Sequence, residues 1–215
     1  MSLDDELLDS VEEVATQIAE YNYPLNFQFK IGTLANDFTV TDGSGKTVAY
    51  VKQKLFKLKE AIKVYSSESK KEVIYTIGAD RIIDFNASYA FQNLDGQHLG
   101  HVGRKGMKSL LKASYEIYDN NKKQEFLISE ENPWAKFWDS LLCEVPLLSL
   151  LSGYLFNPRY VVKRPDDSII FRLSKEPSFW GRKFKLEKVA DFDAAEGERV
   201  MLALMMMSLL ERRRG

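Results

Sequence analysis

Histidine pairs, cysteines and glycine-rich loops are where chemistry is sought first, and this chain offers a small example of each. His98 and His101 are its two histidines. On a regular strand, residues three apart point to opposite faces, so sharing a metal ion would require a bulge between them. Cys143 is the single cysteine and sits in an apolar stretch. A nucleophilic thiolate needs an adjacent base or cation, so Cys143 reads as a buried structural thiol. Gly43-Ser-Gly-Lys-Thr47 imitates the end of a phosphate-binding loop. The full pattern needs a glycine where Val40 stands and a helix where Thr47–Val51 continues as a strand. It reads as a hairpin turn. Gly100, Gly103 and Gly106 miss the dinucleotide fingerprint and mark a bulge or bend in a curved sheet. No Gly-x-Ser-x-Gly elbow is present. These residues assemble no enzyme site, metal centre or cofactor site.

Lysine is the richer signal. Lys52, Lys54, Lys57, Lys59 and Lys63 form the densest basic stripe. Arg104, Lys105, Lys108 and Lys112 make a second patch, and Arg182, Lys183 and Lys185 a third. On a strand Lys52 and Lys54 share a face, as do Lys57 and Lys59. A row of exposed lysines can hold phosphates, each gaining about 1 kcal/mol near an anionic membrane. Lysines on strand faces also prevent edge-to-edge aggregation, so both readings stand on the sequence.

The elements that must position these side chains follow from periodicity. The chain has 215 residues, 45% hydrophobic and 12% aromatic, enough to bury a sizeable core. Its net charge of −1 excludes a globally basic nucleic-acid binder. That charge is uneven. Residues 1–20 hold seven acids and no Lys or Arg, which leaves a net of +6 on the remainder. Leu3, Leu7, Leu8, Val11, Val14, Ala15 and Ile18 recur at helical spacing, predicting an acidic amphipathic helix over 1–22 that ends before Tyr23-Pro24. From Phe27 to about Val189 the period becomes two. Short strands alternate with polar turns at Asp42–Lys46, Ser66–Lys71, Asn93–Gln97, Asp119–Gln124 and Arg164–Ser168, a meander of ten or more antiparallel strands. Residues 132–157, with Trp134, Phe137, Trp138 and an apolar run at 145–156, read as a helical insertion. Asp193-Ala-Ala-Glu196 is a capping box. The helix after it, over 194–212, is apolar all round from Val200 to Leu210 apart from Ser208, so it must be enclosed. A large meander followed by an enclosed helix predicts a closed barrel with the helix through its middle. Neither apolar run reaches the ~20 residues of a membrane span, and the acidic start is unlike a signal peptide.

The opening FQFKIGTLANDFTVTDGSGKTVAYVKQKLFKLKEAIKVY, the repeated strand-turn-strand units and the ending VADFDAAEGERVMLALMMMSLLE together resemble the LURP-one-related (LOR) family, grouped with Tubby C-terminal domains and phospholipid scramblases. The resemblance covers about residues 24–212 and implies a twelve-stranded barrel around a C-terminal helix. It implies little chemistry. Tubby domains bind phosphoinositide head groups through surface Lys and Arg, and scramblases are associated with lipid movement and calcium. No such site transfers residue by residue. The scramblase calcium segment would fall at Asp191–Glu198, which is shorter than an EF-hand loop and reads as a helix cap.

The expectation is a mainly β, closed antiparallel barrel domain over 23–215 around a buried helix, preceded by the acidic helix. It is non-catalytic, without metal or cofactor, and cytoplasmic, at the inner membrane face. Its leading partner is an anionic phospholipid surface or other polyanion, held by Lys52, Lys54, Lys57, Lys59, Lys63, Arg104, Lys105 and Lys108. The alternative is a protein-interaction or oligomeric module using residues 3–19, and the third is scramblase-like lipid handling. No specific nucleic acid and no transmembrane span are expected.

Overall fold

The structure, a computed structural model, describes residues 21–30, 37–53, 61–80, 87–104, 114–131, 159–176 and 183–212. The acidic segment 1–20, the insertion 132–157 and Cys143 lie outside the described residues.

Twelve strands follow one another: β1 Leu25–Phe29, β2 Phe38–Thr41, β3 Thr47–Lys52, β4 Ile62–Tyr65, β5 Val73–Asp80, β6 Ala87–Asn93, β7 His98–Arg104, β8 Ser114–Asp119, β9 Gln124–Glu130, β10 Arg159–Lys163, β11 Ile169–Glu176 and β12 Lys183–Lys188. Each pairs antiparallel with its sequence neighbours, and β12 returns to β1, closing the barrel. Closure leaves no unpaired edge in the ring. The alternation that predicts strands also sorts the two faces. Phe27, Phe38, Val51, Val64, Phe91, Ile117, Phe126, Ile128, Val162, Phe171 and Leu186 are all buried with no measurable exposure. Register shifts at the starts or ends of hairpins curl the sheet.

A single helix among the described residues, α1 (Ala194–Arg212), fills the bore. From Val200 to Leu209 no residue is more than 3% exposed. A helix with no polar stripe cannot lie on a surface, because each large apolar side chain kept in water forgoes about 1.5–3 kcal/mol. Its entry is the predicted capping box: the Glu196 N–H donates to Asp193 Oδ1 at 2.7 Å, and the Asp193 N–H donates to Glu196 Oε2 at 3.1 Å. Arg164 adds a 2.8 Å ion pair to Glu196. Two more contacts fix the helix in the barrel. Arg199 donates two hydrogen bonds to Glu125, at 2.6 and 2.8 Å. The Tyr75 hydroxyl donates to Glu198 Oε1 at 2.7 Å. Glu198 is buried, and burial holds its pKa above the usual carboxylate value, with Tyr75 and Arg199 opposing.

The short turns after β2, β4, β6, β8 and β10 and the entry to α1 lie at one rim. Residues 21–24 join them there, because the Gly43 N–H donates to the Asn22 carbonyl. Tyr21 and Tyr23 pack on the core at this rim. The Gly43–Thr47 motif is the tip of the β2–β3 hairpin: Gly45 has φ +86° and its N–H donates to the Asp42 carbonyl.

Candidate functional site

Along β3, Ala49 and Val51 turn toward the bore and Tyr50 and Lys52 outward, while Val48, the extra residue where the β2–β3 register shifts, lines the bore beside Met201 and Met205 of α1. Register then builds rows across the outer face. Tyr50 stands opposite Thr39 on one side and Tyr65 on the other. One row on, Lys52 stands opposite Lys63, which in turn stands opposite Thr76. The Lys30 N–H donates to the Asp37 carbonyl, extending the β1–β2 ladder into that same row. The outer face therefore carries Lys30, Asp37, Lys52 and Lys63 on four successive strands.

The β4–β5 turn folds back over this face. Glu68 accepts a hydrogen bond from Lys30 Nζ at 2.7 Å and another from Thr39 Oγ1 at 2.8 Å. These two partners hold the Glu68 carboxyl below the usual carboxylate range. Lys70, at φ +57°, lies over the Tyr50 ring at 5.2 Å, and Lys30 lies over the same ring at 5.0 Å. Tyr50 is 2% exposed and its hydroxyl donates to Asp37 Oδ2 at 2.6 Å. Burial and this neighbouring carboxylate push the Tyr50 hydroxyl well above its usual pKa. The Lys70 ammonium is held below the usual lysine value, first by desolvation and then by the adjacent Lys52, with Lys30 adding to it and Asp37 opposing.

The result is four ammonium groups around two carboxylates. Lys30 is paired with Glu68. Among the described residues, Lys52, Lys63 and Lys70 have no carboxylate within ion-pair distance. Like charges set directly opposite each other across a strand pair cost stability, and an external anion would relieve that cost. Chemically, the face can hold phosphate, carboxylate or sulfate oxygens by charge-assisted hydrogen bonds.

Of the sequence-predicted lysines, the structure brings Lys52 and Lys63 together. Lys54, Lys57, Lys59, Lys105 and Lys108 lie outside the described residues. Arg104 does not join them: it ends β7, in register with the buried Tyr115 of β8, with β5 and β6 intervening. Lys185 of the third patch is paired with Glu187 at 2.9 Å. Lys30, Lys70, Thr39 and Tyr50 are site residues that sequence reasoning missed. Only the alternation of β3 pointed to Tyr50. Lys30 and Lys70 arrive from other segments through a turn that folds back.

The histidines correct an expectation. His98 and His101 share the outer face, because the β6–β7 register shifts between Phe91 and Gln92, leaving Leu99 as the extra residue of a bulge. Their ring centroids are 6.4 Å apart. His101 is buried and stacked on Tyr118 at 4.7 Å, and burial holds its pKa below the ordinary histidine value. His98 instead borders an open groove of about 370 Å³ with Thr76, Gly78, Asp80, Ala90 and Gln92. Among the described residues, no three His, Cys, Asp or Glu side chains stand where they could share a metal ion. No helix among them is long and apolar enough to cross a membrane.

A family model described as LURP-one-related matches residues 25–140, just over half of the chain. A crystal structure of a protein from Arabidopsis thaliana is similar at 14% identity and a TM-score of 0.49, covering 91% of this chain and 96% of the other. No curated protein matches the chain.

Proposed function

Starting from the fact that this chain belongs to the LURP-one-related family, we propose that it is a non-catalytic binding domain whose outer-face lysines hold anionic phospholipid head groups at a membrane surface. The observation that supports this reading is the direct opposition of Lys52 and Lys63, with Lys70 beside Lys52 and Lys30 across the Tyr50 ring. Lysines kept only for solubility would be better spaced apart, because direct opposition costs stability. A closed barrel supplies a rigid platform for them, so little ordering is needed on binding.

Each lysine near an anionic bilayer contributes about 1 kcal/mol. Neutralising Lys52 and Lys63 together should therefore weaken binding roughly thirty-fold. The test is co-sedimentation with vesicles of neutral lipid alone and of neutral lipid mixed with phosphatidylserine, at low and high salt. The proposal expects binding to the anionic vesicles only, weakened by salt. Equal partition to both vesicle types, or to neither, refutes it.

A further inference from the structure

The lysine face already holds one anion, and that anion is part of the chain. Lys30 Nζ donates to Glu68 Oε2 at 2.7 Å, and Thr39 Oγ1 donates to Glu68 Oε1 at 2.8 Å. Each carboxylate oxygen thus has its own donor, one cationic and one neutral, which is the arrangement an oxyanion seat needs. Lys70 adds a second cation. It lies over the same Tyr50 ring as Lys30 and also attracts the Glu68 carboxylate.

The seat and its occupant are held very differently. The donors stand on a fixed floor. Thr39 and Tyr50 are cross-strand partners in β2 and β3, and Tyr50 is buried with its hydroxyl bonded to Asp37. The Lys30 N–H is bonded to the Asp37 carbonyl, which ties Lys30 to the same ladder. Glu68 belongs instead to the β4–β5 turn, and its side chain is 51% exposed. That turn closes without the Glu68 carboxylate. The Ser66 N–H donates to the Glu72 carbonyl, the Lys70 N–H donates to the Ser67 carbonyl, and Ser66 Oγ donates to Glu72 Oε2. Glu68 can therefore leave by changing its own rotamer, with the turn and the barrel unmoved. An ion pair this exposed is weak. A phosphoryl group offers more oxygens than a carboxylate, so it can engage Lys30, Thr39 and Lys70 together through charge-assisted bonds.

We infer that Lys30, Thr39 and Lys70 form an oxyanion subsite that Glu68 occupies as an internal competitor, and that a phosphoryl group binds there by displacing Glu68. This rests on the reading that the outer-face lysines hold anions. It adds which residues form the subsite and what limits its affinity.

The full chain, isotope-labelled for amide NMR, is titrated with inorganic phosphate at constant ionic strength while the Thr39 amide signal is followed. E68Q should bind phosphate about five-fold more tightly than the parent, the gain from removing an exposed ion pair. E72Q removes the same charge from the same turn and should stay near the parent. T39V in the E68Q background should lose most of the gain. The remaining amide signals report in the same spectra that each variant is folded. Equal affinities of E68Q and the parent overturn the inference. An equal gain in E72Q overturns it too, because the field of the turn would then account for the change. So does a Thr39 signal that phosphate moves in no variant, and a full gain retained in T39V/E68Q removes Thr39 from the subsite. Co-sedimentation of E68Q with phosphatidylserine vesicles separates two sources of the phosphoryl group. A matching gain there assigns the seat to lipid head groups, and a gain confined to inorganic phosphate assigns it to a soluble phosphate. The titration contains no lipid, so failed vesicle binding leaves the subsite standing, and failure of the subsite leaves the vesicle result intact.

Discussion

Gly100 is where a single methyl group tests the packing of helix against barrel. Its φ is +148°, and a Cβ there would drive into the Tyr118 carbonyl oxygen and stand 2.9 Å from Arg199 Cδ. Arg199 can shift at its flexible end only by weakening the two hydrogen bonds it donates to Glu125. Tyr118 cannot shift cheaply, because its backbone is held in β8 between β7 and β9. Backbone strain of this kind costs about 1–3 kcal/mol, and the displaced carbonyl adds to it, so Gly100→Ala should destabilise by roughly 3–5 kcal/mol. For a chain of this size that is a fall in Tm of roughly 10 °C. Gly78 is the control, since a Cβ there meets nothing within 4 Å. Gly78→Ala should stay within about 0.5 kcal/mol of the parent. Thermal unfolding followed by far-ultraviolet circular dichroism compares the two directly. Equal Tm values for the two variants would refute the reasoning, because the bulge would then have room that the structure denies it.

Two further predictions concern the enclosed helix. Leu204 is fully buried, so Leu204→Ala should cost about 2–5 kcal/mol, read as a lower urea midpoint at an unchanged slope. Glu198 has a raised pKa in the folded state. The folded protein thus binds this proton more tightly than the unfolded chain, and stability falls as pH rises from the ordinary carboxylate range through the raised value. Glu198→Gln keeps an acceptor for Tyr75 but carries no charge, so it should be the more stable protein at pH 7, with the difference closing toward pH 4. Urea titrations at the two pH values check this, and a constant difference would contradict it.

The parts of the fold legible in the sequence are those set by local rules. Val200–Leu209 has no polar stripe, so it had to be enclosed, and Asp193 with Glu196 marked where that helix starts. The polar turns at Asp42, Asn93 and Asp119 close hairpins through side-chain oxygens that accept from backbone N–H groups two or four residues along, as when Asp119 Oδ1 accepts from Asn121 and Lys123. Alternation alone predicted Phe184–Val189 as the last strand, close to the observed Lys183–Lys188. The number of strands came from the family resemblance. The bulge at Leu99 was less legible: glycine at position 100 signalled irregularity, but only pairing with β6 shows which residue is extra and that both histidines face outward. The lysine cluster was half legible. Lys52 and Lys63 lie in one stretch of sequence, yet their opposition depends on the β3–β4 register. Lys30 and Lys70 join through a turn that folds back by way of Glu68, a long-range contact that no local pattern encodes.

The central claim, that one outer face holds anionic lipid, is tested most directly by comparing two charge-matched variants for binding to phosphatidylserine-containing vesicles. One variant is K52Q/K63Q. The other is K122Q/K123Q, which removes the same charge from the β8–β9 turn, at Lys122 and its neighbour. The account predicts that the first loses binding roughly thirty-fold, at ~1 kcal/mol per lysine, while the second stays near the parent. Equal loss in both would show that net charge, not this face, attracts the membrane, and would contradict the account.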